Sequence, residues 1–220
     1  MKKQTLFIAA AMGFLMIGSV AQAADVKGFR SARFGASEKA VIDAAVTDLG
    51  VKSADIQRAK DSVTKVTTLT TKLKSFAPLN LPALVTYVLG YKCNCLTQVG
   101  ILWDFTGATE EQRKTAIVGV TALVNRFAGE EWGKDETVMN RVTGDVKEGS
   151  TNVVVFFRGQ NKDGGAITMA GAPVKMMKAS KDSKKDDPLS ANIDDLKTVS
   201  VSYEKDAANP DIFRVDVTGF

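Results

Sequence analysis

Residues 84–104 read LVTYVLGYKCNCLTQVGILWD, and this stretch decides the fold. Its two arms, 84–91 and 96–104, are rich in Val, Ile, Leu, Tyr and Trp, which favour β-strands. The polar run KCNC at 92–95 separates them and suits a tight turn. The stretch therefore predicts a β-hairpin.

A helix is predicted directly after this hairpin. Thr109 and Gln112 have the spacing of a capping box, in which each side chain binds the backbone N–H of the other residue. Gly129 marks the end of the helix. Apolar residues recur at helical spacing and share one face: Ile117, Val120, Val124 and Phe127.

Two helices are predicted near the start of the chain. The first spans 36–49, with Ser37 as N-cap and Gly50 after its last residue. Its apolar stripe consists of Val41, Ala44, Ala45 and Leu49. A weaker repeat of this pattern predicts a second, shorter helix over 53–63, with Ile56, Ala59 and Val63 on one face.

Further strands are expected on both sides of these elements. Threonines and β-branched residues in 65–74 favour a strand, and Pro78 and Pro82 indicate a loop after it. The apolar runs 152–158 and 166–170 flank the turn sequence DGG, which predicts a second hairpin.

The C-terminal part of the chain alternates apolar and polar residues in two segments. These segments, 198–204 and 212–217, flank the turn sequence NPD and predict a third hairpin. The polar, lysine-rich stretch 175–192 before them is expected to form a loop.

A short pattern occurs twice in the sequence. FGASE at 34–38 is echoed by FTGATE at 105–110, and each copy precedes a predicted helix that strands follow. We therefore expect an α+β fold of two tandem helix-then-antiparallel-strand units, 24–106 and 107–220, with the helices packed on one face of a meander sheet. The alternatives are one continuous domain and a coincidence of two common helix entries.

The first unit resembles the SmpA/OmlA and β-lactamase-inhibitory-protein architecture. The residues that carry this resemblance are Gly35, Ser37, Val41, Gly50, Tyr87, Leu89, Gly90, Leu96, Val99 and Ile101. Members of that group are exported proteins that bind other proteins, as envelope assembly factors or enzyme inhibitors. The resemblance implies a binding role for this chain.

The N-terminus has the pattern of a signal peptide. Lys2 and Lys3 precede an apolar stretch at 6–20, and Ala21-Gln22-Ala23 has small residues at the cleavage positions. We expect cleavage after about Ala23 and a periplasmic or secreted protein without a lipid anchor. The alternative is an uncleaved membrane anchor.

Composition excludes several classes of function. The formal net charge is +4, and removal of residues 1–23 lowers it to +2, which does not favour nucleic-acid binding. The sequence has no histidine, which excludes serine-histidine and cysteine-histidine hydrolases. We assign no catalytic residue, metal ligand or cofactor.

Cys93 and Cys95 are the sharpest chemical feature of the sequence. In an exported protein they can form a disulfide, act as a redox pair or link two chains. A soft-metal site is a further alternative, and its other ligands would have to be methionines such as Met169, Met176 and Met177, or carboxylates.

Two surface features are candidates for partner contact. Trp132 follows the end of a predicted helix among charged residues, whereas Trp103 is expected in the core. Lys175, Lys178 and Lys181 form a basic stretch that could meet anionic groups, although a solvated loop is the alternative.

We expect a binding or assembly protein that acts through contacts with another envelope or extracellular protein, without catalysis. This hypothesis predicts an open sheet face and no deep polar cleft. A thiol-redox or hydrolytic envelope enzyme is the alternative and requires a pocket with convergent titratable groups. A soft-metal carrier that uses Cys93 and Cys95 is the third hypothesis.

Overall fold

The computed structural model of the chain describes residues 24–133, 137–144, 149–178 and 189–214. Two α-helices and eleven β-strands form in this part, together with a short 3-10 helix at Ser53–Asp55. Their bounds are β1 Gly28–Phe29, β2 Ala32–Arg33, α1 Glu38–Leu49, β3 Gln57–Lys60, β4 Thr67–Phe76, β5 Leu81–Leu89, β6 Leu96–Asp104, α2 Glu110–Ala128, β7 Val138–Thr143, β8 Thr151–Gln160, β9 Ala166–Lys178, β10 Leu189–Asn192 and β11 Thr198–Glu204.

One antiparallel sheet dominates the fold. Eight strands follow the order β3-β4-β5-β6-β11-β9-β8-β7, and β10 pairs with the end of β9. The short strands β1 and β2 pair separately. Because β11 lies between β6 and β9 and pairs with both, strands from the two halves of the chain form one continuous sheet.

The predicted α+β fold of two tandem helix-then-antiparallel-strand units is wrong. The structure is mainly β, with only α1 and α2 as α-helices among the described residues. The repeated pattern at 34–38 and 105–110 encodes two helix N-caps, which are local signals. It does not specify how the strands after each helix pair, and the chain's last described strand inserts between the halves.

The hairpins around 92–95 and 163–165 are confirmed. β5 pairs antiparallel with β6, and β8 pairs antiparallel with β9. In β5 every second side chain is buried, from Leu81 through Val85 to Leu89, because successive side chains of a strand point to opposite faces. We call the face that carries these residues the inner face.

The capping-box helix is also confirmed. The Thr109 hydroxyl accepts from the Gln112 backbone N–H at 3.3 Å, and the Gln112 side chain accepts from the Thr109 N–H at 2.9 Å. α2 buries Val120 and Phe127 in the core, and Ile117 and Val124 pack against it. The Ser37 cap and the left-handed Gly50 of α1, with φ 67°, confirm the first predicted helix.

The helix predicted over 53–63 is wrong. Only Ser53–Asp55 is helical, and β3 follows, paired with β4. The Asp61 carboxylate accepts from the backbone N–H of Val63 and Thr64, which turns the chain back toward β4. This side-chain bond favours a turn over the continuation of a helix.

The predicted third hairpin and the loop before it are wrong in the described residues. β11 pairs with β6 and β9, and residues 212–214 form no strand; 215–217 lie outside the described residues. In the stretch 175–192, β9 continues to Lys178 and β10 forms at Leu189–Asn192, so strand pairing replaces part of the expected loop. The loop expected at Pro78 and Pro82 is confined to the turn before β5, since Pro82 lies within that strand.

Both helices contribute to a core on the inner face of the sheet. A Cβ atom placed at Gly119 of α2 would lie 2.9 Å from the Pro78 carbonyl oxygen, so glycine permits the close approach of α2 to the β4–β5 turn. Neither described helix is long and apolar enough to cross a lipid bilayer.

Tyr87 offers a test of the core. Its side chain is 1% exposed, its hydroxyl has no hydrogen-bond partner among the described residues, and burial raises its pKa to about 12. Because a buried unpaired hydroxyl is destabilising, we expect Tyr87→Phe to raise the free energy of unfolding by about 1 kcal/mol in urea denaturation. Tyr91→Phe, at an exposed site, should leave it unchanged; a loss at Tyr87 would show that the hydroxyl is satisfied.

Candidate functional site

A cavity of about 580 Å³ opens between α2 and the inner face of the sheet. Its other walls are the N-terminal segment 25–30 and the β4–β5 turn at Ala77 and Pro78. We call this cavity the cleft. It combines residues from six separate parts of the sequence, which only the folded chain brings together: 25–30, 76–78, 101–103, 122–130, 167 and 201–203.

Aromatic rings form the floor of the cleft. Phe76 and Trp103 are stacked, with ring centroids 6.0 Å apart. Phe29 lies 6.3 Å from Phe76 and 5.4 Å from Tyr203 between centroids, and Phe127 meets Tyr203 edge-on at 6.4 Å. The Trp103 Nε1–H donates to the Phe76 carbonyl oxygen at 2.9 Å, so the indole turns no unsatisfied polar atom toward the cleft.

Arg30 lies at the mouth, in the turn between β1 and β2. Its guanidinium carbon is 5.4 Å from the centroid of Phe29 and 5.0 Å from that of Phe76, within cation–π range. The guanidinium also donates to the Asp48 carbonyl oxygen. The Asp48 carboxylate accepts from the Ser31 N–H at 2.9 Å, so the end of α1 holds the β1–β2 turn in place.

Arg126, Glu130 and Tyr203 approach the cleft from α2, from the residues after it, and from β11. Burial raises the pKa of Glu130; Arg126 opposes this shift and Asp25 adds to it. Burial also raises the pKa of Tyr203 to about 12, with Arg126 and Arg30 opposing the shift and Glu130 adding to it. The three side chains therefore share one electrostatic environment.

These three side chains have no hydrogen-bond partner within the described part of the chain. Polar groups that converge on an apolar cavity without protein partners are free to bind a ligand. The Tyr203 phenol stays neutral over the physiological pH range and can donate a hydrogen bond. Arg126 provides a positive charge beside it.

Hydrogen bonds to two other parts of the chain hold the N-terminal segment beside the cleft. The Ala24 N–H donates to the Glu131 carbonyl oxygen at 2.9 Å, and the Asn161 side chain donates to the Ala24 carbonyl oxygen at 3.1 Å. Asp25 forms an ion pair with Lys27 at 2.6 Å. These contacts hold residues 24–27 along one wall.

The structure joins Cys93 and Cys95 in a disulfide at the β5–β6 turn. The Asp211 carboxylate accepts from the backbone N–H of Lys92 and Cys93, at 2.9 Å each, so this turn binds the C-terminal segment. Neither cysteine lines the cleft. With both sulfurs in the disulfide, no thiolate is available for the soft-metal hypothesis.

The methionines considered as metal ligands are not placed for that role. Met169 is fully buried and Met176 is 3% exposed in the core, and the Met177 side chain lies outside the described residues. Within the described ranges, no three His, Cys, Asp or Glu side chains come close enough to hold a metal ion.

The candidate contact residues do not gather at the cleft. Trp132 is half-buried, packs on Phe157 and donates from Nε1 to the Phe127 carbonyl oxygen at 2.7 Å, so the indole belongs to the wall of the core. Lys175 is exposed and paired with Asp195 at 3.5 Å. The Lys178 side chain and all of Lys181 lie outside the described residues.

On the face of the sheet opposite the inner face, the described side chains of β4, β5, β6 and β11 are half-buried or exposed, and we call this the open face. One row across five adjacent strands consists of Thr70, Thr86, Gly100, Ser202 and Thr168, which are in register and half-buried. The row carries no charge. The structure thus combines the expected open face with a cleft whose mouth is charged.

Sequence reasoning missed Arg30, Arg126, Glu130 and Tyr203. Of these, Tyr203 gave a usable signal, since it follows Val199 and Val201 on the buried side of an alternating strand. The hydroxyl group of a tyrosine at such a position points toward the element that packs on the sheet. Comparison of the chain with known protein families, characterised proteins and solved structures finds no match.

Proposed function

We propose that this protein acts by binding, without catalysis, and that the cleft holds the apolar part of a small molecule. The observation that carries the proposal is the convergence of Arg126, Glu130 and the Tyr203 hydroxyl, all without hydrogen-bond partners among the described residues, on an aromatic floor. Small-molecule pockets typically enclose about 300–1,000 Å³, are mostly apolar and carry a few polar groups that orient the ligand.

The residue types in the cleft favour binding over covalent chemistry. Its described lining includes no serine, threonine, cysteine, lysine or histidine. The Tyr203 phenol has a pKa of about 12, so at neutral pH it is protonated and does not serve as a base. The second carboxylate of the lining, Asp25, is paired with Lys27. A binding role also agrees with the function that the resemblance to exported binding proteins implies.

The experiment measures binding of a neutral aromatic probe, N-phenyl-naphthylamine, by its fluorescence. Ala122 is exposed and lines the mouth of the cleft, so Ala122→Trp should fill the cavity without disturbing the core. We expect it to weaken probe binding at least about tenfold, the equivalent of roughly 1.4 kcal/mol.

Val118→Trp is the matched control. Val118 is 69% exposed on the same helix and does not line the cleft, so this variant should bind the probe as the unaltered protein does. Equal binding by both variants would place the probe elsewhere and contradict the proposal.

The open face supports a second candidate function, contact with another envelope or extracellular protein. An uncharged row of small and hydroxylated side chains across five strands can lie flat against a partner. Ser202→Arg should abolish a complex recovered from envelope extract, whereas Val118→Arg should retain it. A complex that survives Ser202→Arg contradicts this candidate.

The cysteine turn is expected to be dispensable for folding and binding. In a protein with Cys93→Ser and Cys95→Ser, the Asp211 carboxylate keeps its backbone donors, and so short a disulfide loop contributes no more than about 2 kcal/mol. The free energy of unfolding measured in urea should be the same for this variant and for the reduced native protein. Loss of binding with the fold intact would favour redox or linkage chemistry at the turn.

Export remains a proposal that the N-terminal sequence supports. The residues that support it are Lys2, Lys3, the apolar stretch 6–20 and Ala21-Gln22-Ala23. N-terminal sequencing of the protein recovered from the periplasm or medium should begin at about Ala24. Recovery from the cytoplasm with Met1 intact contradicts it.

A further inference from the structure

We propose that the cleft selects a small amphipathic anion, with its acidic head group at Arg126 and Arg30 and its apolar body on the aromatic floor. This inference rests on the proposed function, because it names the class of ligand for the same site. The head group is a single carboxylate, sulfonate or phosphodiester, which a guanidinium binds through paired hydrogen bonds.

The balance of charge at the mouth favours an anion. Arg30 and Arg126 contribute two positive charges, and Glu130 contributes one negative charge when ionised. Asp25 also lines the mouth and adds to the upward pKa shift of Glu130, and its carboxylate forms an exposed ion pair with Lys27 at 2.6 Å. At the Tyr203 hydroxyl, where the charges of Arg126, Glu130 and Arg30 act, one positive charge remains uncompensated, and a monoanionic head group neutralises it.

The aromatic floor does not favour the binding of a cationic ligand. Aromatic faces can attract a cation, but the Arg30 guanidinium already lies over Phe29 and Phe76. Arg126 adds a second positive charge at the same mouth. A further cation would meet repulsion from both guanidinium groups.

Glu130 sets the pH dependence of binding. It faces Arg126 of α2, Asp25 of the N-terminal segment, Tyr203 of β11 and Arg30 of the β1–β2 turn around the cleft. Burial raises the pKa of Glu130, so its carboxylate takes up a proton at a higher pH than an ordinary glutamate. As the pH falls through this pKa, the competing negative charge disappears and affinity for an anion rises.

The test compares two probes that share a ring skeleton. Anilinonaphthalene sulfonate carries one sulfonate, whereas N-phenyl-naphthylamine is neutral. We expect the unaltered protein to bind the sulfonate about tenfold more tightly than the neutral probe, as for a hydrogen-bonded charge pair. Arg126→Gln should abolish most of this preference, so that the ratio of the two affinities falls toward one.

Lys114→Gln is the matched charge control. Lys114 lies on the same helix, is 75% exposed in an ion pair with Glu110, and does not line the cleft. This variant should keep the preference for the sulfonate. If Lys114→Gln and Arg126→Gln weaken sulfonate binding equally, the effect is one of overall charge and the inference is wrong.

The pH profile gives an independent readout. The affinity for the sulfonate should rise as the pH is lowered, and Glu130→Gln should both tighten binding at neutral pH and flatten the profile. A profile that Glu130→Gln leaves unchanged contradicts the role of Glu130.

The outcomes separate this inference from the proposed function. Equal affinity for both probes, with Ala122→Trp still blocking them, overturns the anion preference and leaves the binding function standing. Probe binding that Ala122→Trp does not weaken overturns the proposed function itself.

Discussion

Phe127→Ala is expected to lower the free energy of unfolding by about 3–5 kcal/mol, the usual loss when a buried phenylalanine leaves a cavity. The Phe127 side chain is 3% exposed and packs between Phe157, at 5.7 Å between centroids, and Tyr203. It joins α2 to the inner face of the sheet. Urea denaturation followed by circular dichroism measures the loss.

The control for this prediction is Val118→Ala on the same helix. Val118 is 69% exposed, so its truncation should change the free energy of unfolding by no more than about 0.5 kcal/mol. A Phe127→Ala protein as stable as this control would mean that α2 does not pack on the sheet as described.

Trp103→Ala is expected to lower the free energy of unfolding by a similar amount, about 3–5 kcal/mol. The Trp103 indole is 2% exposed, stacks on Phe76 and donates to the Phe76 carbonyl oxygen. The change removes the stacked ring and leaves that buried carbonyl without its donor. Urea denaturation measures the loss, and Trp103→Phe, which keeps a ring, should lose less.

Leu102→Ala tests whether the two faces of β6 differ in their contribution to the free energy of unfolding. Leu102 is the neighbour of Trp103 on the opposite face and is 38% exposed, so we expect a cost below about 1 kcal/mol. If Leu102→Ala were as destabilising as Trp103→Ala, the register of β6 or the openness of its outer face would be wrong.

Local signals in the sequence predicted several elements correctly. The capping box at Thr109 and Gln112 and the two apolar arms around 92–95 each depend on residues close together in the chain. Such signals encode a helix start or a tight turn through nearby backbone groups. The local structures that they encode therefore form almost independently of the rest of the molecule.

The pairing of distant strands could not be predicted in the same way. β11 alternates apolar and polar residues, which predicts a strand but not its neighbours. Its insertion between β6 and β9 depends on which exposed strand edges the remaining chain leaves available. The segment Gln57–Lys60 shows the same limit. Apolar residues in and around it have a weak helical spacing, but the segment forms a strand because it pairs with β4.

The cleft was beyond sequence reasoning because no short motif encodes it. Arg126 and Tyr203 lie in α2 and β11, Arg30 lies in the β1–β2 turn, and Glu130 follows α2. Each is unremarkable within its own segment. Their proximity follows from α2 crossing the inner face and from the N-terminal segment lying along it. By contrast, the conspicuous Cys93 and Cys95 form a disulfide at a turn outside the cleft.

A co-crystal structure with anilinonaphthalene sulfonate tests the central claim most directly. We predict that the rings of the probe lie in the cleft against its aromatic floor, with the sulfonate within hydrogen-bond distance of the Arg126 guanidinium. A structure in which the cleft is empty and the probe lies on the open face beside Leu102 would contradict it.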